Sequence, residues 1–150
     1  MGDSPLVLVV GPSGNTGSVI VNALLESGNY VRISPDTEAP LIPYLFQRVA
    51  GLTRPSPNAR PDVDALVTRG VTIHSIDWVL GSSPALVKAF TGVDMVISCC
   101  SWQTLLQQKH LIDAAKDAGT VKRFIPCDWG TVCPPGVMTL EDWVRHPCSL

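Results

Sequence analysis

Val7-Leu8-Val9-Val10-Gly11-Pro12-Ser13-Gly14-Asn15-Thr16-Gly17 runs from an unbroken apolar stretch into three glycines spaced three apart. A helix-periodic segment over residues 16–27 follows at once, with Val19, Ile20, Ala23 and Leu24 on one face and Gly28 as its stop. Buried strand, tight turn and helix start is the reading of such a succession. Gly11 suits the turn, Gly14 the approach of backbone to a ligand, and Gly17 the seating of helix on strand. The N–H groups at the helix start, at its positive dipole end, suit a pyrophosphate. The spacing G-x-x-G-x-x-G is a variant of the dinucleotide fingerprint and not a P-loop, because no Gly-Lys-Ser/Thr follows. An ordinary βα turn is the competing reading. The flanking strand and helix, and the position near the N-terminus, weigh against it.

Outward from this stretch, strand and helix patterns alternate. Leu6–Val10 is a first strand, apolar enough to be covered on both faces. Residues 61–69 read as a helix ended by Gly70, and residues 71–77 as a third strand that includes His74. His74 reads as an ordinary strand residue, since no partner carboxylate or serine is recognisable. Residues 84–91 form a helix opened by Pro84 and closed by Gly92. Residues 93–100 are a buried fourth strand, whose Cys99-Cys100 reads as core thiol. Residues 103–118 are the longest helix, with Leu105, Leu106, Ile112 and Ala115 as its apolar stripe, and residues 121–127 are a fifth strand. The alternation predicts an α/β fold: a doubly wound parallel sheet in the order 3-2-1-4-5, ending after about the fifth strand. Asp77-Trp78 and Asp128-Trp129-Gly130 then fall at the C-terminal edges of strands, where ligands bind in such sheets.

The second strand has two candidates. Tyr30-Val31-Arg32-Ile33-Ser34 follows the first helix directly and sets Asp36 about 20 residues beyond Gly17, where an acid that binds a ribose belongs. That reading favours NAD. Arg48-Val49-Ala50-Gly51-Leu52-Thr53-Arg54 is the rival, and its arginine suits a 2′-phosphate and NADP. It leaves a long connection with three prolines in residues 31–47. If residues 31–47 are an insertion, Arg54 also falls about 20 residues beyond Gly17. The segment begins Val-Arg and ends Phe-Gln, which a GT start and a CAG end can encode, as an in-frame retained intron requires. A genuine surface loop is the alternative.

The bulk properties exclude several classes. A chain of 150 residues with net charge −2 suggests one domain and gives no reason to expect nucleic acid or a membrane surface as partner. No apolar run reaches the length of a transmembrane helix, and the first residues show no signal peptide. Five cysteines without C-x-x-C or paired histidines argue against a disulfide framework or a metal site. A soluble, reduced, cytoplasmic protein is the expectation.

Four stretches carry a resemblance: Gly11-Pro12-Ser13-Gly14-Asn15-Thr16-Gly17, LVKAFTGVDMVIS at 86–98, LIDAAKDAG at 111–119 and KRFIPCDWG at 122–130. Together they resemble the NmrA-like and isoflavone-reductase-like group, atypical relatives of the short-chain dehydrogenases. The resemblance covers most of residues 6–136 apart from 31–47. It implies an NADP-binding Rossmann domain over residues 1–136 and a divergent tail at 137–150. By it, Gly11, Ser13, Gly14, Asn15, Thr16 and Gly17 contact the cofactor phosphates. Arg54 matches the arginine that reads the 2′-phosphate, which selects the second of the two strand candidates. Asp77 and Trp78 fall near the adenine, Ser98 and Cys99 along the cofactor, and Pro126 and Cys127 near the nicotinamide.

The chain also departs from the group. Members usually run to about twice this length, with a C-terminal half that builds the substrate pocket, and the reductases use a lysine shortly after the region matching 134–138. Here the last lysine is Lys122, and neither Tyr30 nor Tyr44 begins a Tyr-x-x-x-Lys. No catalytic residue is assigned. Three readings follow: an NADP-binding domain of reductase type, impaired in catalysis; a non-catalytic nicotinamide-dinucleotide sensor acting on a protein partner; or a defective fragment that binds no cofactor.

Overall fold

The computed structural model describes residues 5–27 and 48–128. Five strands alternate with helices: β1 (Leu6–Val10), α1 (Asn15–Ser27), β2 (Arg48–Thr53), α2 (Pro61–Thr68), β3 (Thr72–Ser75), α3 (Pro84–Phe90), β4 (Met95–Ser98), α4 (Gln108–Ala118) and β5 (Arg123–Ile125). All pairings are parallel and the order is β3-β2-β1-β4-β5. This is the doubly wound α/β sheet, a Rossmann-like fold. The place beside β1 belongs to Arg48–Thr53, with Leu8 opposite Ala50 and Val10 opposite Leu52. Tyr30–Ser34, Asp36, Gly28, the segment 31–47, Trp129-Gly130 and the tail 137–150 lie outside the described residues.

The alternation of β1 explains the two faces. Leu8 and Val10 point into one apolar cluster with Leu86, Ala89 and Phe90 of α3 and Leu111, Ala114 and Ala115 of α4. Val7 and Val9 point into another, with Val21 and Leu24 of α1 and Leu66 of α2. Each fully buried Leu, Val or Phe contributes about 1.5–3 kcal/mol, so β1 is the centre of the core. At the opposite end of the sheet from the glycine turn, the Asp94 carboxylate accepts from the Leu6 N–H (2.9 Å) and from Lys122 Nζ (2.7 Å). It thereby ties the starts of β1, β4 and β5.

Two helical faces differ from the periodic reading. In α1 the buried positions are Gly17, Val21 and Leu24, while Val19 is 66% exposed and Ala23 faces solvent. Gly17 must press on the glycine turn, and that contact sets the rotation of the helix. The long helix expected over 103–118 is divided. A single 3₁₀ turn (Trp102–Thr104) precedes α4, which begins only at Gln108. The buried stripe is therefore Leu111, Ala114 and Ala115, and Leu106 and Ile112 are exposed. The outer strands are shorter than their apolar runs, because pairing stops where the neighbouring strand ends.

Candidate functional site

The chain leaves β1 through a tight turn. The Gly11 N–H donates to the Leu52 carbonyl at 2.9 Å, and the Gly14 N–H returns to the Gly11 carbonyl at 3.2 Å. Gly11 has φ +72°, and a Cβ there would lie 2.7 Å from the Cys99 carbonyl oxygen. Both facts require glycine. A Cβ at Gly17 would clash with the Gly11 carbonyl oxygen. The turn is thus a cradle that side chains would fill. Above it the first N–H groups of the thirteen-residue helix α1 have no partner within the helix.

A cavity of about 610 Å³ opens beyond the C-terminal ends of β1, β2 and β4. β1 is the strand from which the sheet is wound in both directions, so this is its topological switch point, where doubly wound sheets take ligands. One wall is the glycine turn, with Gly11, Ser13 and Gly14. Another is Thr53, Arg54 and Ser56, which follow β2. Asp77 and Trp78 close a third side, and Cys99, Cys100, Ser101 and Thr104 a fourth. The Trp78 residue is only 3% exposed and packs in the cluster of α3 and α4. Asp77 Oδ1 accepts from the Val79 N–H at 3.0 Å and fixes the turn.

Arg60, which the sequence did not single out, lines this cavity as well. Its Nη2 donates to Ser13 Oγ at 2.7 Å and to Asp62 Oδ2 at 2.9 Å, and its Nε donates to Asp62 Oδ1 at 3.2 Å. Hydrogen bonding from Arg60, then from Ser13, holds the Asp62 carboxyl well below the usual carboxylate range. The same pair raises the Arg60 guanidinium above its ordinary value. Arg54 is exposed, and its side chain makes no hydrogen bond or ion pair among the described residues. Two guanidinium groups and several hydroxyls thus face one cavity beside a helix N-terminus, which is chemistry for a phosphorylated ligand.

Of the residues singled out from sequence, Gly11, Ser13, Gly14, Arg54, Asp77, Trp78 and Cys99 share the cavity wall. Asn15 and Thr16 are exposed at the start of α1, and Gly17 is buried under the turn. None of the three lines the cavity. Ser98 is fully buried, with its hydroxyl 3.6 Å from Cys100 Sγ. Pro126 and Cys127 stand just past β5 and are not part of the wall. The Cys127 N–H donates to Gln108 Oε1 (2.9 Å) and its Sγ to the Cys100 carbonyl (3.1 Å). Cys99 and Cys100 are half-buried: each packs against one of the two apolar clusters, as their apolar run suggested, and each also lines the cavity just past the end of β4. His74 is half-buried in β3 opposite Leu52. Among the described residues no group of three or more His, Cys, Asp or Glu side chains could hold a metal ion, and no helix is long and apolar enough to cross a membrane.

Known proteins resemble this chain in sequence and in fold. An isoflavone reductase-like protein of Olea europaea is 34% identical over 131 residues, which is 87% of this chain and 37% of that protein. An isoflavone reductase homolog of Solanum tuberosum is 35% identical over 124 residues, 83% of this chain and 35% of the relative. The chain spans about a third of the length of these curated relatives. Among solved structures, isoflavone reductase superposes with a TM-score of 0.64 at 27% identity, over 85% of this chain and 37% of that one. The leucoanthocyanidin reductase–NADPH binary complex of Vitis vinifera superposes with a TM-score of 0.63 at 25% identity, over 83% and 36%. Residues 3–133, nearly the whole of the chain and the whole of the cavity wall, match one family description, and the chain belongs to the NmrA-like family.

Proposed function

We propose that this chain is an NADP(H)-binding domain of oxidoreductase type. The carrying observation is the cavity at the switch point, with Gly11, Ser13 and Gly14 of the glycine turn on one side and Arg54 and Arg60 on the others. The cradle fits the cofactor, because Gly11 and Gly17 leave the room that a pyrophosphate needs against the backbone. The N–H groups of Asn15, Thr16 and Gly17 point the helix dipole at that pyrophosphate, and Ser13 and Gly14 contact it from the turn. Arg54 and Arg60 hold the 2′-phosphate, Asp77 and Trp78 bound the adenine side, and Ser98 and Cys99 lie under the chain of the cofactor. Pro126 and Cys127 stand at the nicotinamide end. When bound, the cofactor supplies or accepts a hydride. The chain's own residues bind it, orient it and shield its adenine half from water.

Lysine, tyrosine and histidine are absent from the cavity wall among the described residues. Lys122 is engaged with Asp94 at the far end of the sheet. The residues described here therefore supply cofactor binding, and proton transfer to an acceptor is not assigned to any of them. Three free thiols among the described residues suit a reducing compartment, and we place the protein in the cytoplasm on that basis.

Calorimetric titration of the purified chain with NADPH and with NADH tests this. NADPH is expected to bind more tightly than NADH. Folded protein that binds neither would overturn the cofactor reading, and equal affinities would remove the arginines from the 2′-phosphate.

A further inference from the structure

The turn after β3 carries Asp77 and Trp78 into the cavity wall. The Ile76 N–H ties the start of this turn to the Thr53 carbonyl of β2 at 2.9 Å, and its second tie to another element comes from α4: His110 Nδ1 lies 3.1 Å from the Trp78 carbonyl oxygen, across 32 residues. A carbonyl only accepts, so Nδ1 carries the hydrogen. The contact is half-buried and crosses from the helix layer to the rim of the site. The other fixings of the turn do not replace it. The Asp77–Val79 bond is internal to the turn, and burial of the Trp78 side chain fixes the depth of the residue without engaging its carbonyl. The Trp78 carbonyl and the Val79 N–H belong to one peptide plane, so His110 orients the group on which the Asp77 carboxylate rests.

The helix is suited to this work. Gln108 and His110 are two positions apart, about 200° around the axis, so they leave α4 on opposite sides. Gln108 reaches the Cys127 N–H past β5, and His110 reaches Trp78 past β3. We infer that His110 is a positioning residue, which holds the Asp77–Trp78 wall in place for the adenine half of a bound dinucleotide. This rests on the cofactor reading above, and it predicts an effect confined to the side of the ligand that lies against that wall.

The test uses the full chain, with 2′,5′-ADP as probe of the adenine half. His110→Leu keeps bulk and removes the donor. His110→Asn loses bulk but keeps an amide N–H at the place of Nδ1, since both nitrogens lie two bonds beyond Cβ. Calorimetry is expected to show about a fivefold weaker Kd for His110→Leu and a Kd near that of the unmodified chain for His110→Asn. Thermal unfolding of both variants accompanies the titration. A packing role gives the reverse order, with Leu tolerated and Asn weakened, and that result overturns the assignment, as does equal weakening by both. If the unmodified, folded chain binds neither 2′,5′-ADP nor NADPH, the cofactor reading fails and this inference with it. Binding by the unmodified chain with no loss in His110→Leu overturns the positioning role alone.

Discussion

The Arg60 guanidinium donates to the Ser13 hydroxyl at 2.7 Å, joining the glycine turn to a loop 47 residues later in the chain. Asp62 grips the same guanidinium through two of its nitrogens, Nε and Nη2. The carboxylate therefore fixes the plane of the guanidinium, Nη2 gives its second hydrogen to Ser13 of the turn, and the two Nη1 hydrogens are left over. Such an arginine is preorganised for an oxyanion, since little of its side-chain freedom is left to lose on binding.

On the cofactor reading, Arg54→Ala and Arg60→Ala each weaken NADPH binding and spare NADH. A charged hydrogen bond to phosphate is worth about 1.5–3 kcal/mol. Both arginines are solvent-accessible, so a loss of roughly tenfold in Kd is expected for each. Thermal stability changes little, because surface ion pairs contribute about 0–1 kcal/mol. Calorimetry with both cofactors checks this. Equal losses for NADPH and NADH would assign the arginines to a part of the ligand that the two share.

Gly17→Ala drives a methyl group into the Gly11 carbonyl oxygen. Neither atom belongs to a flexible side chain, so α1 or the turn must shift as a body. A cost of about 1–3 kcal/mol in chemical unfolding is expected, toward the upper end, with loss of NADPH binding. Val19→Ala on the same helix is the control, because Val19 is 66% exposed and its removal creates no cavity. A Gly17→Ala variant as stable as the parent would contradict the seating of α1 described here.

Asp94 sets an acid limit on the fold. Its pKa is lowered, first by the Lys122 hydrogen bond and then by the Leu6 N–H. A carboxyl depressed on folding stabilises above its unfolded pKa of about 3.9 and loses that contribution as pH falls through the lower folded value. Asp94→Asn should therefore cost about 1 kcal/mol at pH 7, with the gap from the parent closing as pH falls below about 4. Urea unfolding at a series of pH values measures it. A gap that stays constant down to the acid limit would show that the charge of Asp94 is not what ties the three strands.

The sheet order was legible in the sequence because β1 announces itself twice, by a run buried on both faces and by glycines at the turn that follows. The wall residues Asp77 and Trp78 were legible for a related reason, since they fall just past a strand, where patterns change; Arg54 was preferred to Asp36 only through the family resemblance. Arg60 was not legible. It acts through Ser13, and no periodicity or spacing links two residues that meet only when β2 is laid beside β1. The rotation of α1 was missed because Val19 and Ile20 fit an apolar stripe equally well on either side of Gly17. Only the pressure of Gly17 on the Gly11 carbonyl chooses between them. The early start assigned to α4 has a similar origin, since Leu105 and Leu106 satisfy a helical period that the 3₁₀ turn interrupts.

Gly51 connects that sheet geometry to the site. It lies in the middle of β2 opposite Val9, where a side chain would ordinarily strengthen the strand. A Cβ there would meet the Pro12 ring at 2.7 Å and the Ile73 Cδ1 at 2.8 Å. Ile73 can turn its terminal methyl away. The Pro12 ring cannot yield in the same way, because it is rigid, buried and part of the turn between Gly11 and Ser13. Gly51→Ala should thus be felt more in ligand binding than a strand substitution usually is. Stability is expected to fall by about 1–2 kcal/mol, and NADPH affinity to fall with the displaced turn. Gly51→Ala combined with Pro12→Ala removes the obstructing ring. If the Pro12 contact carries the effect, the double variant recovers part of the stability lost by Gly51→Ala, a coupling that a double-mutant cycle reads directly. Additive losses in that cycle would mean that Ile73, or the strand itself, absorbs the added methyl and that the turn stands independently of β2.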